Sequence, residues 1–162
     1  MFTVEEILNM AIKIENNGEK VYRDAISQVE DAALVELLKE MADEEARHAE
    51  WFNDLKEEWG SAVENPLAEE MSRQMFSEII GDRSFSHKEV DFERVRDRQQ
   101  LISLFIEFEK DSILFYELIQ PFLDKHKTRR LLEQIVTEEH RHIEKLEEFF
   151  ETGAGLVTEK SS

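Results

Sequence analysis

Two stretches, Glu44–His48 (EEARH) and Glu138–His142 (EEHRH), decide the fold and the chemistry that this sequence predicts. Each stretch carries a glutamate three residues before a histidine, and the second stretch follows the first at an offset of 94 residues. Residues three apart on an α-helix are neighbours on its surface, about 4.5 Å apart along the axis. Each stretch can therefore present a carboxylate and an imidazole to one metal ion.

The same offset of 94 residues relates other residues in the two halves of the chain. The pairs are Glu15 with Glu109, Tyr22 with Tyr116, Glu45 with Glu139, and His48 with His142. Matching glutamates alone would mean little in so acidic a chain, but the only two tyrosines also obey the offset. A fixed internal period of this kind predicts a duplicated unit, here a helical hairpin.

The hydrophobic pattern predicts an all-α fold. Only five glycines and two prolines interrupt the chain, and apolar residues recur every three or four positions, which is the helical period. The predicted helices run from a capping box at Thr3 through Ile26, from about Asp31 to before Gly60, from about Glu93 to Gln120, and from about Lys127 to Phe150. The first and last connections are short, so we expect two antiparallel hairpins that a long crossover joins into a four-helix bundle.

The crossover and the C-terminal end are predicted from their local patterns. Residues 66–80 carry Met71, Met75 and Ile79 at helical spacing, which predicts a short extra helix that covers the bundle or contributes to a homodimer interface. Residues 81–89 are expected to form an exposed loop. Residues 152–162 contain glycines and polar residues and are expected to be a flexible tail, so the predicted domain is 1–151.

The composition excludes several classes of protein. The 162 residues include 38 acidic and 20 basic side chains, a formal net charge of −18 that would repel nucleic acid and attract cations. No segment approaches the ~20 apolar residues that span a bilayer, and no signal-peptide pattern is present, so we expect a cytoplasmic protein without a membrane partner. The absence of cysteine excludes thiol nucleophiles and cysteine-ligated metal centres. Any metal must be held by oxygen and imidazole.

The inward positions of the predicted helices carry four glutamates and two histidines. These candidate metal ligands are Glu15, Glu45, His48, Glu109, Glu139 and His142. Burying four carboxylates without compensation is prohibitive, whereas two divalent cations would balance their charge. Oxygen-rich ligation with one imidazole per ion suits iron or manganese. One glutamate from each of two helices and a Glu-x-x-His pair from each of the others form the ligand set of ferritin-like di-iron and di-manganese proteins.

On these motifs, residues 1–151 resemble the ferritin-like superfamily, and within it most closely the rubrerythrin-like group. The resemblance implies two non-haem iron ions, with manganese as the alternative, bridged by Glu45 and Glu139. It implies that the other ligands divide between the ions as Glu15 with His48 and Glu109 with His142. By the same resemblance, two hydroxyls would hydrogen-bond the ligand carboxylates, those of Tyr22 and Tyr116.

The sequence also departs from the rubrerythrin pattern. Rubrerythrins usually carry a further carboxylate one turn after the ligand of the third helix, where this chain has Ser112, which weakens the inference of ligand-switching peroxide chemistry. They also carry a cysteine-ligated rubredoxin domain, which a chain without cysteine cannot form, so we expect electrons from a separate donor protein. Haem-binding relatives use a methionine on the second helix, where Ala46 follows Glu45 here, so we expect no haem.

These residues and the resemblance predict an oxidoreductase that reduces hydrogen peroxide or dioxygen at a non-haem di-iron centre. Two other functions stay open, an iron-binding or iron-storage protein with the same ligands and a metal-free helical interaction module. Glu107 is an alternative to Glu109 as the ligand from the third helix. The sequence does not choose between iron and manganese or between a monomer and a homodimer.

Charged residues next to the candidate ligands have a surface interpretation. Arg47 and Arg141 lie three residues from Glu44 and Glu138, which is the spacing of surface ion pairs on a helix. His140 points about 100° around the helix from its neighbour Glu139 and is expected to be exposed. None of these residues is predicted to take part in the site.

Overall fold

The computed structural model describes residues 4–59, 97–122 and 126–151, and these residues form helices and turns without any strand. The helices are α1 (Val4–Ile26), α2 (Ala32–Trp59), α3 (Arg98–Ile119) and α4 (His126–Glu151), and a 3₁₀ turn, Gln120–Phe122, follows α3. The predicted all-α fold is therefore confirmed. The predictions for Thr3, for residues 66–80 and 81–89 and for the tail at 152–162 lie outside the described residues.

Side-chain caps explain where α2 and α3 begin. The Asp31 carboxylate accepts hydrogen bonds from the backbone N–H groups of Ala33 (2.9 Å) and Leu34 (3.4 Å), so α2 begins next to Asp31 as predicted. The helix α3 begins at Arg98 rather than near Glu93. The reason is that Asp97 has an extended backbone and its carboxylate accepts the N–H of Gln100 at 2.7 Å, as a helix N-cap does.

The apolar core consists of two clusters with a polar layer between them. The first cluster contains Ile7, Leu8, Ala11, Ile14, Phe52, Leu55, Phe115, Tyr116, Ile119, Leu132 and Ile135. The second cluster contains Val21, Tyr22, Ala25, Val29, Leu34, Leu37, Leu38, Met41, Ala42, Leu101, Ile102, Phe105 and Leu146. All four helices contribute to both clusters. Each helix therefore passes through the polar layer near its middle.

The order of the clusters along each helix gives the topology of the bundle. The chain runs from the first cluster to the second in α1 and α4, and from the second to the first in α2 and α3. Because α1 packs chiefly against α2 and α3 chiefly against α4, the bundle consists of two antiparallel hairpins. The end of α2 and the beginning of α3 lie at opposite ends of the bundle, which is the arrangement that a long crossover joins.

Candidate metal centre

The polar layer of the bundle holds all six predicted metal ligands. The helix α1 contributes Glu15, α2 contributes Glu45 and His48, α3 contributes Glu109, and α4 contributes Glu139 and His142. None of these residues is more than 3% exposed. On each helix they continue the spacing of the buried apolar residues, so the packing that forms the two clusters also turns the ligands inward.

The candidate ligand atoms form two overlapping groups. Glu15, Glu45, His48 and Glu139 bring one ligand atom each to within 4.8 Å of one another, and we call this group the His48 site. Glu45, Glu109, Glu139 and His142 do the same, and we call this group the His142 site. Only Glu45 and Glu139 belong to both groups. The geometry therefore suits two adjacent ions that share two carboxylates.

Each histidine presents its Nδ1 atom to the carboxylates of its own site. His48 Nδ1 lies 3.0 Å from a Glu139 oxygen and 3.4 Å from a Glu15 oxygen. His142 Nδ1 lies 3.2 Å from a Glu109 oxygen and 3.6 Å from a Glu45 oxygen. The Nδ1 atoms are thus the imidazole nitrogens placed to bind metal.

Several ligand atoms are buried without a hydrogen-bond partner. They are Glu15 Oε2, Glu45 Oε1, His48 Nδ1, Glu109 Oε2 and both carboxylate oxygens of Glu139. Buried polar atoms in proteins are otherwise almost always hydrogen-bonded, because an unpaired polar group in the interior costs on the order of 1–3 kcal/mol. Metal ions would satisfy these atoms, and oxygen with one imidazole per ion is a donor set for iron or manganese. The residues present therefore fit a dinuclear metal centre.

The electrostatics of the layer agree with this fit. Burial, followed by repulsion from the carboxylates around them, raises the pKa of Glu45 and of Glu139 well above the usual range. Burial also disfavours the charged form of Glu109, but its contacts with Glu139 and His142 outweigh the effect of burial, and the net pKa is lowered. In the absence of cations, the charged forms of Glu45 and Glu139 would repel each other. Two divalent ions would replace that repulsion by attraction.

The two buried tyrosines connect opposite hairpins. The Tyr22 hydroxyl on α1 donates to Glu109 Oε1 on α3 at 2.5 Å, and the Tyr116 hydroxyl on α3 donates to Glu15 Oε1 on α1. Burial and then the neighbouring carboxylates raise the pKa of both tyrosines, so both hydroxyls keep their protons. Each tyrosine thereby holds a candidate ligand of the other hairpin in place.

Glu44 and Glu138 do not have the surface role that the sequence predicts. Glu44 is only 7% exposed and accepts a hydrogen bond from Nε2 of His142. Glu138 Oε2 lies 2.6 Å from Nε2 of His48. Each residue directly precedes a shared glutamate, and each contacts a histidine of the other hairpin, although the Glu138 side chain is still 21% exposed. The offset of 94 residues, which both glutamates obey, is the signal that could have identified them.

The arginines next to these glutamates are exposed, as expected, but their partners differ from the prediction. Arg141 Nη2 lies 2.6 Å from Glu44 Oε1, so its ion pair crosses between the hairpins instead of joining residues three apart on α4. Arg47 does pair with Glu44 at the predicted spacing, although the contact is longer, at 3.7 Å. The two arginines therefore converge on one carboxylate.

The histidine and glutamate pairs also change the ionisation of their members. Burial opposes the charged forms of Glu44 and His142. For Glu44, the hydrogen bond and attraction to His142 dominate and lower the pKa to about 2. For His142, attraction to Glu109 and the hydrogen bonds to Glu109 and Glu44 dominate and raise the pKa to about 10. Attraction to Glu15, followed by the hydrogen bond to Glu138, outweighs burial and raises the pKa of His48. The hydrogen bond to His48 lowers the pKa of Glu138. The Nε2–H groups thus donate to carboxylates, and a metal ion would bind at Nδ1 in place of the second proton of the imidazolium.

Glu15 and Glu109 each belong to only one site, and we call them the terminal glutamates. A small residue lies one turn after each of them. Ser112 is buried, and its hydroxyl donates to the backbone carbonyl of Phe108 at 3.0 Å instead of facing the site as a ligand. Gly18 is its counterpart at the 94-residue offset, and a Cβ added there would lie 3.6 Å from the Glu45 side chain. Neither hairpin supplies a further carboxylate at this position.

Two further sequence expectations concern residues outside the centre. Glu107, considered as an alternative ligand, is exposed and lies 3.9 Å from Lys110, so it is not part of the layer. Its position two residues before Glu109 turns it to the opposite side of α3. His140 is exposed as predicted.

A bundle of two repeated hairpins with four glutamates and two histidines in its central layer defines the ferritin-like class of metal proteins. The rubrerythrin family model matches residues 6–150, and the chain belongs to the rubrerythrin family. A crystal structure from Thermotoga maritima, named as that of a ferritin-like diiron-carboxylate protein, shares the fold with a TM-score of 0.65. The match covers 93% of this chain and 95% of that chain at 23% sequence identity. None of the curated proteins matches this sequence.

No helix in the described part of the chain is sufficiently long and apolar to cross a membrane.

Proposed function

We propose that this protein binds two non-haem iron ions, with manganese as the alternative metal, and reduces hydrogen peroxide or dioxygen with electrons from a separate donor protein. The observation that carries the proposal is the layer of buried ligand atoms without hydrogen-bond partners. Such a layer is unfavourable on its own and is complementary to two adjacent divalent ions. Membership of the rubrerythrin family supports the same reading of the site.

The roles of the six ligands follow from how the two sites overlap. Glu45 and Glu139 would be shared by the two ions, because they belong to both sites. The remaining ligands divide between the ions as Glu15 with His48 and Glu109 with His142. When bound, the two ions would supply two electrons for the reduction of an oxidant.

The rest of the bundle keeps the site dry and its ligands oriented. The two apolar clusters cover the layer from both ends, so bulk water does not compete for the ligands. Tyr22 and Tyr116 hold the terminal carboxylates by hydrogen bonds, and Glu44 and Glu138 hold the imidazoles. These contacts fix the ligands before an oxidant enters, and a fixed site needs little reorganisation during the reaction.

Anaerobic loading with ferrous iron followed by rapid mixing tests this function. We expect two iron ions per chain and an absorbance change on mixing with hydrogen peroxide or with dioxygen. A variant with both Glu45→Ala and Glu139→Ala is expected to lose both the iron and the absorbance change. The matched control, Glu107→Ala, removes an exposed glutamate and should behave as the unmodified protein. Iron-loaded protein that reacts with neither oxidant would contradict the redox function.

Iron storage would use the same ligands and differs in assembly. A storage protein needs a large shell around a cavity that holds many ions per chain. We expect instead a small assembly with two ions per chain, measured by light scattering and elemental analysis on the same sample. A very large particle with a high iron content would favour storage over the proposed redox function.

A further inference from the structure

The carboxylates behind the two histidines have different surroundings. Glu44, behind His142, has Arg141 Nη2 at 2.6 Å and Arg47 Nη2 at 3.7 Å. Glu138, behind His48, has an exposed side-chain fraction of 21%, against 9% for Glu44. Among the described residues, Glu138 has no arginine or lysine nitrogen at ion-pair distance, and Arg47 acts on it only at longer range. The repeat is therefore symmetric in its ligands and asymmetric in the charge around them.

The types of ligand do not distinguish the two sites. Each site has one histidine and one glutamate of its own, Glu15 or Glu109, and both share Glu45 and Glu139. Each terminal glutamate also accepts a tyrosine hydroxyl from the other hairpin. The charged groups around the carboxylates that contact the imidazoles, in contrast, differ between the sites.

A carboxylate that accepts the Nε2–H of a metal-bound histidine increases the electron density on the nitrogen that binds the metal. An arginine paired with the same carboxylate withdraws part of that density, because the guanidinium attracts the charge that would otherwise polarise the imidazole. Water screens Glu138 more than Glu44, but the 2.6 Å hydrogen bond between Glu138 and His48 is a direct contact that water does not interrupt. The arginine therefore weakens the effect of Glu44 on His142 without an equivalent at His48.

We propose that the two metal sites are inequivalent and that the His48 site binds its ion more tightly, because Glu138 keeps the charge that Glu44 gives up to Arg141. This inference rests on the proposed dinuclear centre and adds an order of filling to it. Arg141 and the two glutamates act through the histidines and are positioning residues, since none of them belongs to either group of ligand atoms.

Calorimetric titration of the metal-free protein with manganese(II) measures the affinities without redox chemistry. We expect two resolved binding steps. Arg141→Gln removes the positive partner of Glu44, so the second step should strengthen and the two affinities should converge. Arg23→Gln is the matched control, because Arg23 is similarly exposed (44% against 47%) and also ion-paired, but it contacts neither histidine pair. It should leave the separation between the steps unchanged.

Substitutions of Glu138 and Glu44 should change the separation between the two binding steps in opposite directions. Their effects therefore identify which site binds its ion more tightly. Glu138→Gln should weaken the first step by about 10–100-fold and bring the steps together, because it removes the support of His48. Glu44→Gln should weaken the second step by a comparable factor and move the steps further apart. Circular dichroism of each metal-free variant checks the fold. Arg141 and Glu138 are partly exposed, so their substitution disturbs no packed core.

The outcomes separate this inference from the proposed function. Two identical steps in the unmodified protein, or the same shift of both steps in Glu44→Gln and Glu138→Gln, would overturn the inequivalence while leaving the dinuclear centre intact. Absence of manganese and ferrous binding would overturn the centre and the inference together. Two unequal steps in a protein that does not react with peroxide or dioxygen would support the inference and reject only the redox function.

Discussion

The charged form of the buried Glu139 side chain is unfavourable in the metal-free protein. Both of its carboxylate oxygens are buried without a hydrogen-bond partner, and burial followed by the charges of Glu109 and Glu15 raises its pKa. A carboxylate in these surroundings is stabilised by a proton or by a cation. The side chain that weakens the metal-free protein is therefore the one expected to contribute most to metal affinity.

Replacement of Glu139 by glutamine tests how this carboxylate affects stability and metal binding. We expect the free energy of unfolding of the metal-free protein at neutral pH to rise by about 1 kcal/mol or more, because the amide is neutral without binding a proton. Binding of two ions should be lost, since both sites share this residue. Urea denaturation with a chelator measures the first effect, and elemental analysis measures the second. The exposed control Glu107→Gln should change neither, and a Glu139→Gln protein that retains two ions would contradict the bridging role.

The tyrosines allow a test of the contacts between the hairpins. Tyr22→Phe and Tyr116→Phe each remove one hydrogen bond to a carboxylate but keep the ring contacts with Phe105 (5.1 Å) and Phe52 (5.3 Å). We expect each variant to lower the free energy of unfolding by about 1.5–3 kcal/mol, the usual contribution of a hydrogen bond to a charged group. Both should still bind two ions. Loss of an ion from either variant would show that the tyrosine does more than support its glutamate.

The helical period of the sequence predicts which face of each helix is buried. It does not predict which residues of neighbouring helices contact one another. Ligands at positions such as Glu15 and His142 continue an apolar face, so their burial follows from spacing along one helix. The burial of Glu44 depends on which helix packs beside it, and spacing along α2 alone favoured an exposed ion pair. The start of α3 at Arg98 differs from the predicted start near Glu93 for a similar reason. Apolar spacing does not reveal that the Asp97 side chain caps the helix.

The cap of α3 gives a prediction at this scale. Asp97→Ala removes the acceptor of the Gln100 N–H, which should lower the free energy of unfolding by about 1 kcal/mol. The number of bound ions should stay at two, because Glu109 lies three turns further along α3. Chemical denaturation and metal analysis measure the two quantities. Glu117→Ala, at an exposed position of α3, is the control and should have little effect on either. A loss of metal in Asp97→Ala would mean that the helix start positions the site.

For the whole molecule, the polar layer divides what would otherwise be one apolar core. The clusters on either side stabilise the bundle by burying apolar side chains, whereas the layer between them contributes repulsion until cations bind. Because no such layer exists in the unfolded chain, the free energy of metal binding is added to that of folding. Metal content should therefore control the stability of the entire bundle.

Thermal unfolding checks this coupling. Free ferrous or manganese ions at a hundredfold excess over the dissociation constant should stabilise the protein by about 2.7 kcal/mol per site, which raises the melting temperature by about 5–10 °C for each occupied site. A chelator should reverse the rise. The double variant Glu45→Ala and Glu139→Ala provides the control, because its melting temperature should not respond to either addition. Equal melting temperatures of the unmodified protein with metal and with chelator would contradict the coupling.

The crossed contacts of Tyr22, Tyr116, His48 and His142 have a consequence for the duplicated halves. Every one of these side chains is hydrogen-bonded to a carboxylate of the opposite hairpin, and each site takes ligands from both. One hairpin alone does not contain either site, so the centre needs two hairpins. Within one chain the two hairpins need not be identical, and two arginines that converge on Glu44 alone are an arrangement that a symmetric homodimer of hairpins could not have.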